Sequence, residues 1–233
     1  MSQGLSFGSA AELYDRIRPT YPPAAVEWAL GPTPVRVVDL GAGTGILTRV
    51  TRALGHDVIP VEPDEAMRAR LAGTTPGVTP LAGSAEHIPL PDEEVDAVMA
   101  GQAYHWFDRE PAHREIARVL KSGGVFAPIW NIRDESVPWV AQLSEILGAP
   151  NHEGWLDHDF GPMFGPLERE LFHHEVEMNA DLLVQLVASR SYFITAPAER
   201  QTAISARVRA LAADLPGTFP VPYITVVYRA YRS

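Results

Sequence analysis

The sequence predicts an α/β protein whose doubly wound, mostly parallel sheet has seven strands, helices on both faces and an antiparallel strand near the C-terminus. Short apolar runs alternate with helical patterns from residue 35 to residue 130, and the run at 35–40 leads into a glycine-rich turn. This alternation is typical of parallel strands joined by helices. The last strand-like run, at 223–230, follows two helical stretches and ends the chain without a further crossover helix. That ending indicates an antiparallel edge.

Local signals predict each element in chain order. A capping box at 9–12 begins a first helix, and Pro23 suits the first turn of a second helix that ends near residue 31. Pro60 and Pro128 lie inside predicted strands, where each removes a ladder hydrogen bond, so we expect short or bulged strands there. Strands are predicted at 35–40, 57–62, 78–81, 95–100, 125–130, 172–178 and 223–230, and the other helices at 46–54, 64–71, 111–120, 181–189 and 198–213.

Composition excludes several classes of protein and site. The chain has no cysteine, which excludes disulfides, thiolate zinc sites and a cysteine nucleophile. Its net charge of −10, without a cluster of lysine or arginine, is unfavourable for binding nucleic acid or an anionic membrane. No stretch approaches the ~18 apolar residues of a membrane span. No signal peptide is visible over residues 1–10, and we expect a cytoplasmic protein.

The most informative segment runs from Val37 to Gly45, a strand followed by a glycine-rich turn and a helix. Glycines let a ligand approach bare backbone, and the following helix offers unpaired N–H groups. Glu62 ends the next strand, 17 residues after Gly45. That is close to the ~20-residue spacing at which an acid binds ribose hydroxyls. The alternative is a tight turn with a surface glutamate, but the order of strand, loop, helix, strand and acid favours a nucleoside site.

The glycine spacing separates two kinds of cofactor. A dinucleotide fingerprint needs a third glycine where this chain has Ile46. The pattern here is G-x-G-x-G, which argues against a nicotinamide dehydrogenase. The loop instead suits a ligand without phosphates, whose linker is uncharged or cationic.

These motifs resemble those of the class I S-adenosylmethionine-dependent methyltransferases, specifically the small-molecule type 11 group. The resemblance rests on 39–45, 62–64, 83–92 and 120–124, and it covers residues 7–130 in detail and the remainder in outline. It implies a Rossmann-like fold, S-adenosylmethionine as cofactor and methyl transfer to oxygen, nitrogen or carbon of a small-molecule acceptor. Outline similarity to the trans-aconitate methyltransferase group adds a carboxylate acceptor to the candidates, beside a phenol.

The resemblance also assigns residues to the cofactor by position. Asp39 and the glycine loop would hold its amino-acid end, Glu62 its ribose, and the Ala85 N–H its adenine edge. Where the family often has an aspartate for the adenine amino group, this chain has Ser84, so Glu86 substitutes or the contact is lost. Pro63, Asp64 and Met67 would flank the adenine. The predicted cofactor residues are Tyr14, Arg18, Asp39, Gly41, Ala42, Gly43, Glu62, Pro63, Met67, Ser84, Ala85, Glu86 and Gln102.

The N-terminal segment at 11–22 resembles the helix with which the family covers its cofactor. It carries Tyr14, Arg16, Arg18 and Tyr21. Arg18 is the favoured partner of the methionyl carboxylate, because a guanidinium can bind a carboxylate through two parallel hydrogen bonds. The alternative is that these are surface residues of a capping helix.

Candidate acceptor residues follow the strands at 95–100 and 125–130, since ligands of open α/β sheets lie beyond the carboxyl ends of the strands. His105 is the candidate general base, with an ordinary pKa near 6.5 that predicts activity rising through that pH. It would serve a phenol or an amine; the alternative is a packed histidine at a helix start. The predicted acceptor residues are Tyr104, His105, Trp106, Trp130, Arg133, Arg190 and Tyr192, with Arg133 suited to an anionic substrate.

We expect a single methyltransferase domain over 1–233, either monomeric or homodimeric. Within it we expect a helical lid at 1–31, a cofactor-binding core at 35–130, and insertions at 131–171 and 179–215 that cap the acceptor site.

We predict no metal site. Histidines and carboxylates occur at 151–153, 157–159 and 173–174, and such side chains can bind a divalent cation. However, the first two groups lie in a segment rich in proline and glycine, which favours a solvated loop. His173 and His174 are adjacent in a predicted strand and so point to opposite faces.

Three other functions are alternatives to methyl transfer to a small molecule. A protein that uses the sulfonium for cyclisation or decarboxylation, or only senses the cofactor, would share the same binding motifs. Nucleic-acid methylation lacks an Asn-Pro-Pro-Tyr type motif after the strand at 95–100. A nicotinamide dehydrogenase conflicts with Ile46.

Overall fold

A computed structural model describes residues 18–148 and 159–233 of the protein. In these ranges one sheet contains six strands: β1 (Arg36–Leu40), β2 (Asp57–Val61), β3 (Val95–Gly101), β4 (Leu120–Arg133), β5 (Glu168–Met178) and β6 (Phe219–Tyr231). Their order across the sheet is β2-β1-β3-β4-β6-β5. Strands β1 to β4 pair in parallel, and β6 is antiparallel to both of its neighbours. The predicted mostly parallel α/β sheet is therefore confirmed.

The antiparallel strand lies inside the sheet and not at its edge. β6 is inserted between β4 and β5, so β5 is the edge strand and runs parallel to β4. The amino-acid sequences of β5 and β6 explain this order. β6 is mostly apolar and largely buried, whereas β5 carries several glutamates and is exposed along much of its length. Charged side chains protect an exposed sheet edge from pairing with another chain.

The predicted strand at 78–81 is the reason that seven strands were expected. Among the described residues, this segment contributes only an isolated parallel bridge between Leu81 and Val61. The Leu81 N–H donates to Pro60 O at 2.8 Å, and the Glu62 N–H donates to Leu81 O at 3.0 Å. Pro80, which has no N–H, directly precedes Leu81 and limits further pairing. The count of seven is corrected to six.

Pro60 and Pro128, predicted to shorten or bulge their strands, both lie inside continuous strands, although β2 ends one residue before the predicted position 62. Pro60 lies in β2, the strand at one edge of the sheet, opposite Asp39 of β1. Pro128 lies in β4 opposite Ala100. On the other side of β4, the paired positions with β6 pass from Phe126 to Ile129 and omit Pro128. The missing N–H therefore leaves a gap in one ladder without ending the strand.

Helices occupy the connections between strands. Asp64 caps α3 as predicted, because its Oδ1 accepts the Met67 N–H at 2.9 Å. A helix at 138–147 was not predicted, although Pro138 at its first turn and apolar residues on one face are its sequence signal. None of the helices in 18–148 and 159–233 is long and apolar enough to cross a membrane. The helices are α1 (Pro23–Leu30), α2 (Ile46–Ala53), α3 (Glu65–Thr74), α4 (Arg109–Val119), α5 (Pro138–Leu147), α6 (Ala180–Ala188), α7 (Ser191–Ile194) and α8 (Ala198–Ala213), with a 3₁₀ turn at Tyr104–Trp106.

Alternate residues of β4 face two different cores. Phe126 and Trp130 belong to an aromatic-rich core that also contains residues of α4. Val125 and Ile129 belong to the opposite core, which contains residues of α1 and α2. A third apolar cluster joins α5, α6 and α8 to the first residues of β6. Because β6 is antiparallel to β4, this helical cap lies at the carboxyl end of β4.

Candidate active site

The glycine loop joins β1 to α2 at the carboxyl edge of the sheet. Gly41 and Gly43 have φ values of 70° and 56°, which favour glycine. A Cβ at Gly41 would lie 2.7 Å from the Ala103 Cβ, so that position is closely packed. A Cβ at Gly43 would meet no atom within 4 Å among the described residues. Gly43 therefore presents bare backbone to open space, where a ligand can approach.

Glu62, directly after β2, lies against this loop. Its Oε2 accepts the Gly43 N–H at 2.8 Å, and its Oε1 accepts the Asp64 N–H at 2.9 Å. The side chain is buried, and this burial raises the pKa of the Glu62 carboxyl. Each carboxylate oxygen can accept a further hydrogen bond. The predicted ribose acid and the glycine loop are thus brought together.

Asp39 lies beneath the same loop, near the end of β1. It is 1% exposed, and its Oδ2 accepts the Thr48 hydroxyl at 2.6 Å. Its Oδ1 is buried without a hydrogen-bond partner among the described residues. Burial raises the pKa of Asp39 to about 7, the Thr48 hydrogen bond opposes the rise, and the Glu62 charge adds to it. Two buried carboxylates at one loop fit a cationic ligand, and S-adenosylmethionine carries a sulfonium and an ammonium group.

The predicted adenine side is formed by α3 and the turn at 84–87. Met67 and Ala85 are buried, and Pro63 is exposed. Ser84 and His87 exchange backbone hydrogen bonds of 3.2 Å. Glu86 Oε1 accepts the Asp108 N–H at 2.9 Å, which ties this turn to the start of α4. The contact shows a structural role for Glu86, and its cofactor role stays a prediction.

Gln102 connects the carboxyl ends of β3 and β4. It has a φ of 56°, a strained value for a residue other than glycine. Its N–H donates to Ile129 O at 2.9 Å, and its Nε2 donates to Asn131 O at 2.9 Å. The side chain is therefore committed to β4, and a contact between Gln102 and the cofactor stays a prediction.

Tyr104 and Trp130, two predicted acceptor residues, lie in the aromatic-rich core. Tyr104 is 2% exposed, and its hydroxyl is 2.8 Å from His113 Nε2. The Trp130 ring packs edge-on against Tyr104, with ring centroids 6.1 Å apart. Both rings pack in this core, and their roles towards an acceptor stay predictions. His113 was missed because nothing in the sequence relates it to Tyr104.

His105 and Trp106 follow β3 in the 3₁₀ turn. Their ring centroids are 4.7 Å apart, and Trp106 is exposed. Burial lowers the pKa of His105 to about 4, because a buried imidazolium loses hydration. The imidazole is therefore neutral throughout the physiological range.

We expect the His105 imidazole of the ligand-free protein to titrate near pH 4 and not near 6.5. If activity depends on neutral His105 as a base, the rise of activity with pH should also lie near pH 4 and not near 6.5. Nuclear magnetic resonance of the histidine side chains measures the titration, with His105→Ala identifying the signal. A His105 midpoint close to 6.5 would contradict the burial seen in the structure.

The predicted acceptor residues of the cap do come together. Arg133, at the end of β4, donates from Nε to Ser144 Oγ of α5 at 3.0 Å. The charges of Arg133 and Arg190 both act on the Tyr192 hydroxyl, and the charge of Arg190 also acts on Arg133. The structure therefore groups Arg133, Arg190 and Tyr192 and separates them from the Tyr104–Trp130 core.

Arg18 and Asn131 link the N-terminal segment to the cap and the sheet. Arg18 donates to Ser189 Oγ at 3.2 Å and to Ser189 O at 2.9 Å. Asn131 Nδ2 donates to the Pro19 and Thr20 carbonyls at 3.2 and 3.0 Å. Asn131 was not predicted, because its role depends on a segment more than a hundred residues away. Tyr14 and Arg16 lie outside the described residues.

The histidine and carboxylate groups differ in their surroundings. His174 stacks on Tyr223, with centroids 5.6 Å apart, whereas His173 is exposed near Asp134. Residues 151–158 lie outside the described ranges. Within those ranges, no three histidine, aspartate or glutamate side chains are grouped to hold a metal ion.

Comparisons with known proteins agree with this geometry. Residues 38–127 match a family model described as a methyltransferase domain. An uncharacterized methyltransferase of Mycobacterium tuberculosis is 43% identical over 97% of this chain and 95% of its own. A malonyl-[acyl-carrier protein] O-methyltransferase of Pectobacterium atrosepticum is 29% identical over 98% of this chain and 95% of its own.

The fold also matches a solved structure. A structure from Anaeromyxobacter dehalogenans, described as a type II methyltransferase, superimposes with a TM-score of 0.68 at 24% identity, covering 92% of this chain and 97% of the other. That likeness concerns the fold alone. Together with the extended match to the mycobacterial relative, the glycine loop and its two buried acids identify the chain as a member of the class I S-adenosylmethionine-dependent methyltransferases of the type 11 group.

Proposed function

We propose that the enzyme transfers a methyl group from S-adenosylmethionine to a small-molecule acceptor beyond the carboxyl ends of β3 and β4. The observation that carries the cofactor site is the pair of buried carboxylates, Asp39 and Glu62, at the open glycine loop. An unpartnered oxygen on Asp39 among the described residues suits the cationic amino-acid end of the cofactor.

Other residues at this edge fit the remaining parts of the cofactor. Glu62 would accept hydrogen bonds from the ribose hydroxyls with its free lone pairs. Met67 and Pro63 would flank the adenine. Ala85, on the turn beyond the bridge of Leu81 with Val61, would meet the adenine edge through its N–H. The segment at 18–21, whose carbonyls at Pro19 and Thr20 bind Asn131, supports a lid at 1–31 with Arg18 in it.

The bound cofactor supplies an electrophilic methyl carbon, to which a lone pair of the acceptor bonds while the carbon–sulfur bond breaks and its electron pair stays on the neutral thioether. The protein aligns the acceptor and excludes water. His105, neutral at physiological pH, can take a proton from an acceptor that must lose one. The insertions at 131–171 and 179–215 would close the acceptor side.

Oxygen is the methylated atom that we favour. The name of the Pectobacterium relative states O-methylation of malonyl-[acyl-carrier protein]. An oxygen acceptor such as a carboxylate is already ionised at neutral pH. It needs positioning and no base, which agrees with the low pKa of His105.

Calorimetry and product analysis test this proposal. We expect S-adenosylmethionine and S-adenosylhomocysteine to bind and NAD to show no binding. Incubation with candidate acids and phenols should yield S-adenosylhomocysteine together with an acceptor heavier by one methyl group. Binding of NAD at the same site would overturn the assignment of the glycine loop. A cofactor product other than S-adenosylhomocysteine would indicate different sulfonium chemistry.

A further inference from the structure

Arg133 and Tyr223 form a cross-strand pair where β4 ends and β6 begins. Directly paired residues place their side chains on the same face of a sheet, here the face covered by the helical cap. Tyr223 is 1% exposed, and its hydroxyl has no hydrogen-bond partner among the described residues. A buried hydroxyl without a partner costs about 1–3 kcal/mol, so this group is available to a ligand at little further cost.

Arg190, between α6 and α7, brings a second guanidinium to the same place, and Tyr192 of α7 brings a second hydroxyl. Burial raises the pKa of Tyr192, and the charges of Arg190, Arg133 and Arg18 oppose the rise. These charges therefore act at the Tyr192 hydroxyl. The Tyr192 hydroxyl is also buried without a hydrogen-bond partner in the described part of the chain.

The positive charge of this cluster is not neutralised by an ion pair within 18–148 and 159–233. No salt bridge there involves Arg133 or Arg190, and each of these side chains is partly buried. Glu135 is the acid whose charge acts on Arg133, and one of its oxygens is itself buried without a partner. Like charges held together in a partly buried place are destabilising unless an anion accompanies them.

We propose that the acceptor carries an anionic, oxygen-rich group, a carboxylate or a phosphate, which Arg133 and Arg190 bind together with the hydroxyls of Tyr192 and Tyr223. This inference rests on the proposed function, since it concerns the acceptor of that reaction. Each guanidinium presents several N–H donors in one plane, and each tyrosine presents one O–H donor. Both kinds of donor suit the oxygens of such a group.

The anionic group is an anchor and is not the methylated atom. An oxyanion that accepts hydrogen bonds from two guanidinium groups has its lone pairs engaged and its charge offset, which weakens it as a nucleophile. The methyl group is therefore received by another oxygen of the same molecule, such as that of a second carboxylate that the arginines do not bind. The acceptor accordingly has at least two functional groups, one bound by the arginines and one placed towards the cofactor.

Calorimetry on the protein saturated with S-adenosylhomocysteine tests this site. The probes are succinate, inorganic phosphate and uncharged succinamide, each titrated to about 50 mM, which saturates a site with a Kd near 1 mM. The variants are Arg133→Gln, Arg190→Gln and Tyr223→Phe, with Arg207→Gln as the matched control. Arg207 is an exposed arginine of α8 in the same cap.

We expect one anion to bind and succinamide not to bind. Arg190→Gln and Arg133→Gln should weaken binding of the anion at least tenfold, and Tyr223→Phe should weaken it several-fold. Arg207→Gln should leave anion binding unchanged. Succinate binding alone identifies a carboxylate, and phosphate binding alone identifies a phosphate. Equal behaviour of anions and succinamide, or equal loss in Arg207→Gln, would overturn the anion site. S-adenosylhomocysteine failing to bind the parent protein would instead refute the proposed function.

Because Arg133 also binds Ser144, its variant could lose the cap geometry. The melting temperature and the S-adenosylhomocysteine affinity of each variant show whether the fold is retained. Arg190→Gln gives an independent result, since no side-chain hydrogen bond of Arg190 is found in the described residues. An anion that binds the parent and Arg190→Gln equally well would therefore reject the inference even if Arg133→Gln does not fold.

Discussion

Replacing Glu62 with alanine is expected to weaken S-adenosylmethionine binding at least tenfold. The carboxylate would accept ribose hydroxyls, and hydrogen bonds to a charged acceptor contribute about 1.5–3 kcal/mol each. The ligand-free protein should also lose stability, because Gly43 and Asp64 both donate backbone N–H groups to this side chain. Calorimetry measures the affinity, and thermal unfolding measures the stability.

The matched control for this prediction is Glu65→Ala. Glu65 is an exposed acid in the first turn of α3, three residues along the chain, and it should leave affinity unchanged. A Kd that changes equally in both variants would show that Glu62 acts only through its negative charge at long range and not through hydrogen bonds to the ribose. A normal Kd in Glu62→Ala would mean that the ribose lies elsewhere.

Asp39→Asn is expected to make the stability of the ligand-free protein less sensitive to rising pH. The same substitution should weaken binding of the cofactor. Burial raises the pKa of Asp39 to about 7 from 3.8, so the folded state binds the proton more tightly than the unfolded state does. Stability from this group is therefore greatest below pH 4 and falls as pH rises to 7. The full difference corresponds to about 4 kcal/mol at most, at 1.36 kcal/mol per pKa unit.

Chemical denaturation of parent and variant at pH 5 and pH 8 measures this effect. The stability of Asp39→Asn relative to the parent should increase between the two pH values, because asparagine retains an acceptor for Thr48 but carries no charge. Cofactor affinity of the parent should rise with pH up to about 7, by at most tenfold per pH unit, as a cation displaces the proton. An identical pH dependence in the variant would assign the titration to another group.

Glu62 and Asp39 are also expected to influence each other. The Glu62 charge contributes to the raised pKa of Asp39. Removing Glu62 should therefore lower the pKa of Asp39 and move the pH dependence of binding downwards. Effects of the two substitutions will not add, since interacting neighbours seldom give additive energies.

The elements that could be predicted from sequence are those with local signals. The strands at β1, β2 and β3, the cap at Asp64 and the helix over 198–213 follow from apolar periodicity and terminal residues. The strand predicted at 78–81 is absent from the described residues because an apolar run does not specify how many backbone hydrogen bonds the segment can form with β2. Helix α5 was missed because prolines and glycines around it indicated an irregular insertion.

The candidate cofactor site was predictable because its parts lie close together along the chain. Asp39, the glycine loop and Glu62 fall within one strand–helix–strand unit, and each carries a local signature in residue type and spacing. The candidate acceptor site was predictable only as a set of residues. The set included Tyr104 and Trp130, which the structure places in the core.

The sequence by itself determined that the first strand ends in a glycine loop with an acid after the second strand, because backbone conformation and short spacing are encoded locally. Only the tertiary structure decided which side chains share a face. β6 brings Tyr223 beside Arg133, and alternation along β4 sends Trp130 to the opposite core. The low pKa of His105 and the raised pKa of Asp39 were likewise decided by burial. Burial depends on the packing of distant segments, which no local pattern specifies.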